Sequence, residues 1–139
     1  MRILPVPDEL TAPYWAAAGE HRLVILRCQC GRLSHPPVAM CPACHSREFT
    51  WQAMSGYGSV YAFTSVCHAV HPVTIGHTPY LIALVELDEG PRMLTNLRHC
   101  EAQDVRVGLP VQVIFEDLSD TVSLPQFAPR DSDGKEARP

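Results

Sequence analysis

Residues 28–44 read CQCGRLSHPPVAMCPAC, which places four of the six cysteines in one short stretch of the chain. The cysteines form two close pairs, Cys28/Cys30 and Cys41/Cys44, separated by ten residues. Two short cysteine pairs on either side of a loop are the sequence pattern of a tetrahedral zinc site. The stretch therefore predicts a zinc ribbon, a module too small to fold on apolar burial alone and stabilised by its metal.

The first cysteine pair departs from the usual spacing, because it has one intervening residue where the second pair has two. Cys41-Pro42-Ala43-Cys44 fits a turn that directs two sulfurs at one ion. Gly31, directly after Cys30, suits the positive φ that such turns require. The one-residue spacer therefore leaves open how Cys28 would reach the same ion.

Three arrangements of this region are compatible with the sequence. In the first, all four cysteines bind zinc with a distorted first turn. In the second, His35 or His45 replaces Cys28 as a ligand. In the third, the ribbon is held by packing and binds no metal. A four-thiolate site has no open position for water, so zinc bound here is expected to be structural and not catalytic.

A short helix is predicted before the cysteines, with Asp8 or Thr11 as its N-cap and its end near Gly19. The helix carries Tyr14 and Trp15, which is a large aromatic surface for an element of this length. These side chains are expected to pack either on the chain's own domain or on a partner protein.

Short β-strand patterns account for most of the remaining chain. Two strands, at residues 23–26 and 49–52, are predicted to form the ribbon. The five that follow are not interrupted by helices, which favours a small Greek-key barrel such as an OB-fold. They are predicted at residues 57–66, 80–87, 92–97, 109–115 and 121–124, with a hairpin turn at residues 88–91.

The predicted chain is mainly β, with a short N-terminal helix, a zinc ribbon and a C-terminal five-stranded OB-fold barrel. The predicted boundaries are 1–22 for the N-terminal arm and helix, 23–53 for the ribbon, 54–127 for the OB-fold, and 128–139 for a disordered polar tail.

Composition limits the classes of function. Of the 139 residues, 46% are hydrophobic and 19% are charged, and the net charge is −4. These fractions are typical of a globular domain. No apolar run is long enough for a transmembrane helix, and residues 1–5 lack the pattern of a secretory signal. We therefore expect a cytoplasmic protein whose cysteines are thiols or metal ligands. The arginines are scattered and Lys135 is the only lysine, which argues against general nucleic-acid binding.

No catalytic motif stands out in the sequence. His68, His71 and His77 lie close enough in sequence to suggest a second metal site, although loop histidines are more often solvated. Cys67 and Cys100 are isolated and are expected to be buried apolar side chains and not nucleophiles. The chain is accordingly expected not to be an enzyme by itself.

Two rival functions follow from the barrel. An OB-fold can bind single-stranded nucleic acid by stacking bases on aromatic side chains, and Tyr57, Tyr61 and Phe63 alternate along one predicted strand. The same alternation is also what one core-facing side of a strand produces. A stand-alone enzyme that uses His or Cys in the barrel loops is the other rival.

The order of several segments resembles a known family, the zinc-ribbon/OB-fold acyl-CoA-associated proteins. The resemblance covers nearly the whole chain apart from the polar tail. The segments that carry it are the Pro-Tyr-Trp helix (13–15), LRCQCGRLSHPP (26–37), MCPACHS (40–46), SGYGSVYAFTSV (55–66), PYLIALVELDEG (79–90) and GLPVQVIFEDL (108–118).

The resemblance implies a rubredoxin-like zinc ribbon with structural Zn²⁺. It assigns Cys30, Cys41 and Cys44 as ligands directly and Cys28 with a shortened spacer. It further implies a non-catalytic accessory subunit of a thiolase-like acyltransferase or aldolase that acts on acyl-CoA thioesters, with a lean toward steroid side-chain degradation. The expected partner is a thiolase-like subunit, with acyl-CoA at or near the shared interface, and neither nucleic acid nor membrane is expected.

Overall fold

The computed structural model describes residues 3–130. One helix and eight strands make up its regular structure, with two short 3₁₀ turns at Pro72–Thr74 and Ala102–Asp104. The elements are α1 (Ala12–Gly19), β1 (Val24–Cys28), β2 (Leu33–Ser34), β3 (Phe49–Ala53), β4 (Tyr57–Val66), β5 (Tyr80–Leu87), β6 (Arg92–Leu97), β7 (Pro110–Asp117) and β8 (Ser123–Pro129).

Helix α1 packs on its own chain, against β1 and β8. Thr11 is the N-cap, and its backbone N–H donates a hydrogen bond to the Asp8 carboxylate at 2.8 Å. Tyr14 is 8% exposed, and burial raises the pKa of its hydroxyl to about 12. Trp15 is half-buried against the core. Of the two predicted roles for these aromatics, the structure shows packing on the chain's own domain.

The ribbon is a three-stranded antiparallel sheet in the order β2-β1-β3. β1 lies in the centre, pairing Leu26 with Ser34 on one side and with Trp51 on the other. The two longer strands were predicted, whereas β2 was not. With two residues, β2 is too short to carry a periodic pattern.

The second sheet is a closed barrel of five strands in the order β4-β5-β6-β8-β7. Its antiparallel strands close through a parallel contact between β6 and β8, where Leu97 lies opposite Phe127. The mainly β fold with a five-stranded barrel is confirmed. A β-bulge interrupts the pairing of β4 with β5 between Val60 and Ala62. Gly58 lets the two strands approach closely, since a Cβ there would lie 2.5 Å from the Glu86 carbonyl oxygen.

One continuous apolar core joins the helix, the ribbon and the barrel. Tyr14 of α1 and Ile25 of β1 belong to the same cluster as the barrel residues Val85, Val111 and Phe127, and the last four of these are completely buried. Burial of this kind stabilises a domain by about 25 cal/mol per Å² of apolar surface. The ribbon therefore rests on the barrel through packed side chains and not through a flexible linker.

β8 extends to Pro129, so residues 128 and 129, which were predicted as part of the tail, belong to the barrel, and Ala128 is fully buried. Arg130 is also described, and residues 131–139 of the predicted tail lie outside the described residues. Within residues 3–130 no helix is long and apolar enough to cross a membrane.

Candidate metal centre

The four predicted cysteine ligands meet at one end of the ribbon. The Sγ atoms of Cys28, Cys30, Cys41 and Cys44 all lie within 4.8 Å of one another. The Cys28–Cys44 pair of sulfurs is 3.4 Å apart and the Cys30–Cys41 pair is 3.8 Å apart. A tetrahedral ion with zinc–sulfur bonds of about 2.3 Å separates its sulfurs by about 3.8 Å, so the thiols fit zinc.

The irregular first pair is accommodated by a hairpin turn. Cys28 ends β1 and is 2% exposed, and its carbonyl accepts a hydrogen bond from the Gly31 N–H at 2.8 Å. Gly31 has a φ of 95°, the positive value that its position in the sequence predicted. The turn closes β1 onto β2 and brings Cys28 and Cys30 to the same ion site despite the one-residue spacer.

The second pair is placed by a different turn. The His45 N–H donates to the Cys41 carbonyl at 2.9 Å, and the Cys41 N–H donates to the Ser46 carbonyl at 2.9 Å. His45 has a φ of 63°, so it occupies the left-handed position that Gly31 fills in the first turn. The residue after each cysteine pair therefore has a positive φ, Gly31 in the first turn and His45 in the second.

The electrostatics of the four thiols favour a bound cation. The backbone N–H groups of Cys44 and Ala43 lower the pKa of the Cys41 thiol to about 6, although its burial opposes the shift. The N–H of Cys30 also lowers the pKa of Cys28, but burial and the three neighbouring thiols outweigh it and raise that pKa to about 12. One thiol therefore ionises readily while another resists, and a divalent cation would stabilise all four thiolates.

The histidines proposed as alternative ligands are not part of this cluster. His35 packs its ring 5.5 Å from the ring of Tyr14, and burial lowers its pKa. Among the described residues, the four cysteines are the group of His, Cys, Asp and Glu side chains arranged to hold a metal. His68, His71 and His77 are exposed and not gathered into such a group, and His71 Nδ1 accepts a hydrogen bond from the Val73 N–H.

The two isolated cysteines differ from their predicted burial. Cys67 is exposed and Cys100 is half-buried. The prediction was wrong for Cys67 because this residue follows β4 in a loop that lies away from the core, which a local hydrophobic pattern does not reveal.

The alternating aromatics of β4 do not form one stacking surface. The bulge after Val60 shifts the register, so Tyr61 and Phe63 lie in the part of the strand that is exposed, at 46% and 41%. The Arg92 guanidinium lies 3.7 Å from the centre of the Tyr61 ring, and Arg130 lies 3.8 Å from that of Tyr57. Each of these two rings therefore has one face already occupied by an arginine.

Sequence reasoning missed a cleft of about 580 Å³ between the ribbon and the β5–β6 turn. Arg32, Ser34 and His35 line it from the ribbon, and Glu89 and Arg92 line it from the barrel. The Ser34 hydroxyl is buried and has no hydrogen-bond partner among the described residues. The two arginines are sixty residues apart in sequence, and only the contact of the two domains brings them together.

A four-cysteine ribbon that shares its core with a five-stranded barrel defines a class, the zinc-ribbon/OB-fold proteins. Comparison with known families agrees with this assignment. Residues 15–50 match the rubredoxin-like zinc ribbon domain of ChsH2, and residues 51–116 match the C-terminal OB-fold domain of ChsH2.

Individual relatives give the same result. A DUF35 domain-containing scaffold protein of Methanocaldococcus jannaschii is 32% identical over 81% of this chain and 82% of its own length. The 3-oxo-4,17-pregnadiene-20-carboxyl-CoA hydratase alpha subunit of Mycobacterium tuberculosis is 40% identical over 84% of this chain. A probable enoyl-CoA hydratase alpha subunit of Thermomonospora curvata is 36% identical over 93% of it. The chain spans only 37% and 40% of the lengths of these two hydratase subunits.

A solved structure resembles the whole fold. A chain of the Ltp2-ChsH2(DUF35) aldolase superposes with a TM-score of 0.82 and 36% sequence identity, and the match covers 90% of this chain and 98% of that one. The protein belongs to the ChsH2/DUF35 family of zinc-ribbon/OB-fold proteins. The rubredoxin-like ribbon of this family and the close grouping of four cysteines are consistent with structural zinc.

Replacing Cys28 tests whether the irregular pair contributes a ligand. We expect Cys28→Ser to lose most of its zinc, measured by elemental analysis of the purified full chain. The thermal midpoint should fall by about 10 °C or more, because losing a structural ligand costs several kcal/mol and each kcal/mol shifts the midpoint by about 4 °C in a chain of this size.

Two variants serve as controls for this experiment. Cys67→Ser removes an exposed thiol outside the cluster, and His35→Ala removes the alternative ligand. Both should keep one zinc per chain. Full zinc content in Cys28→Ser, together with its loss in His35→Ala, would show that the histidine and not Cys28 completes the site.

Proposed function

We propose that this protein is an accessory subunit of a thiolase-like acyltransferase or aldolase complex that acts on acyl-CoA thioesters. The observation that carries the proposal is the match to a chain of the Ltp2-ChsH2(DUF35) aldolase, which extends over 98% of that chain and so includes its helix, ribbon and barrel together. The names of the other relatives, which are alpha subunits and scaffold proteins, also describe components of assemblies.

The subunit is proposed to be non-catalytic, and its metal to be structural. Cys28, Cys30, Cys41 and Cys44 are the proposed zinc ligands, and four thiolates fill the coordination sphere of the ion and leave no position for water or substrate. The ion would tie the two turns of the ribbon together. The catalytic groups then belong to the thiolase-like subunit.

A role in steroid side-chain degradation is supported by one relative in particular. The Mycobacterium tuberculosis protein, which is 40% identical, is named for a pregnadiene carboxyl-CoA, a steroid that carries its CoA thioester on the side chain. We propose that the complex formed by this chain acts on an acyl group of that kind.

The cleft between ribbon and barrel is the proposed contribution of this chain to acyl-CoA binding. Arg32 lines it from the ribbon, and a guanidinium group binds phosphate oxygens through charge-assisted hydrogen bonds. Arg92 lines it from the barrel, where its Nε is paired with the Glu86 carboxylate at 3.0 Å. Glu89, the acidic residue of the lining, is already engaged by the Ser55 N–H at 2.7 Å.

Complex formation tests the proposed function directly. Co-expression of the full chain with a thiolase-like protein of the same organism should yield one hetero-oligomer of fixed stoichiometry, measured by size-exclusion chromatography with light scattering. A thiolase that is active by itself should not associate with this chain and serves as the control. If the chain purifies as a stable monomer and the thiolase-like protein is fully active without it, the proposal is wrong.

Coenzyme A binding tests the cleft. We expect Arg32→Ala to weaken binding of coenzyme A to the purified complex about ten-fold or more, since a charged hydrogen bond contributes about 1.5–3 kcal/mol. Isothermal titration calorimetry measures the change. Arg47→Ala removes another exposed arginine, one that does not line the cleft, and it should bind as the wild type does. Equal affinities for all three proteins would exclude the cleft as a binding site.

A further inference from the structure

The second half of β4 is paired with only one strand of the barrel. β7 pairs with β4 only at Tyr57–Ser59, and after the bulge that follows Val60 the strand pairs with β5 alone. Within the described residues, the other edge of Tyr61–Val66 is therefore free of a strand partner. We call this strand segment together with the loop that returns to β5, residues 61–80, the β4–β5 arm.

The arm exposes an unusual number of apolar side chains. Residues 61–65 are all exposed, in contrast to the alternating burial of β5 beside them. Four large apolar side chains stand out: Tyr61 at 46%, Phe63 at 41%, Val70 at 82% and Ile75 at 68% exposed. Monomeric proteins seldom expose several large apolar side chains on one segment, and such patches mark contact sites.

The arm also carries no formal charge. Residues 49–85 contain no Asp, Glu, Lys or Arg, so the eleven basic and fifteen acidic residues of the chain all lie outside it. An exposed strand edge is normally protected against association by charged side chains, by proline in the strand or by burial. Tyr61–Val66 has no such protection, and depletion of charge is the compositional mark of the core of a protein–protein interface.

The β4–β5 arm is better suited to bind a different protein than a second copy of this chain. Two copies would bring together chains that each carry a net charge of −4, whereas an uncharged arm is complementary to an uncharged, apolar surface on another protein. An extended segment with a free edge can also add to a partner through main-chain hydrogen bonds.

We propose that the β4–β5 arm is the surface by which this chain docks onto an uncharged apolar patch of its thiolase-like subunit. This inference rests on the proposed function and adds the part of the chain that makes the contact. The arm is suited to this role because its exposed side chains are outside the shared core, so they contribute little to the stability of the free chain.

Charged substitutions at the arm test the inference. Phe63→Glu and Ile75→Glu, each in the full chain, should weaken binding to the purified thiolase-like subunit at least about ten-fold, because each places a charge in an apolar interface. Val6→Glu is the matched control, since Val6 is an apolar residue that is 88% exposed in the N-terminal segment outside the arm. The control should bind as the wild type does, and all variants should keep the wild-type thermal midpoint.

Hydrogen–deuterium exchange gives a second measurement that needs no variant. The amides of residues 61–66 should exchange more slowly in the complex than in the free chain. If the wild type binds but both arm variants bind equally well and exchange at 61–66 is unchanged, the arm assignment is wrong and the proposed function stands. If the wild type does not bind the thiolase-like subunit, the proposed function itself is wrong and the arm assignment falls with it.

Discussion

Four cysteine sulfurs within 4.8 Å of one another form a constraint on which the rest of the structure depends. Thiolates so close repel one another, and burial with the neighbouring thiols raises the pKa of Cys28. A divalent ion removes the repulsion and closes both turns of the ribbon. The ribbon has few other means to hold its loops, because residues 35–48 contain no helix or strand.

The constraint extends beyond the ribbon because β1 connects the metal site to the core. Cys28 ends that strand at the metal site, while Ile25, three residues earlier, is completely buried in the cluster that includes the barrel residue Phe127. A change at the cysteines therefore acts on the position of β1, and through it on the contact between ribbon and barrel.

The two sites that we propose lie at opposite ends of β5. The cleft adjoins the turn after Leu87, and the arm ends at Tyr80, roughly 25 Å away for a strand of this length. One rigid strand thus joins a proposed ligand site to a proposed docking surface.

Local pattern was sufficient to predict a large part of this fold. The strands at 57–66, 80–87 and 92–97 were predicted with the bounds that the structure has, and a turn residue precedes each of them, at Gly56, Pro79 and Pro91. What was missed depends on tertiary contacts. β2 exists as the partner of β1, β8 continues to Pro129 because it pairs with β7, and Cys67 is exposed because it lies in the loop after β4. At the candidate site, residue identity and spacing predicted the cysteine cluster. The turn that admits Cys28 and the cleft that joins Arg32 to Arg92 depend on the folded chain, so no local pattern could predict them.

The central claim is that a single zinc ion bound by all four cysteines holds the ribbon of this chain together. X-ray absorption at the zinc edge of the purified full chain tests it most directly. The account predicts one zinc per chain with four sulfur neighbours at about 2.3 Å. A first shell of three sulfurs and one nitrogen or oxygen at about 2.0 Å, or a chain that folds normally without zinc, would contradict it.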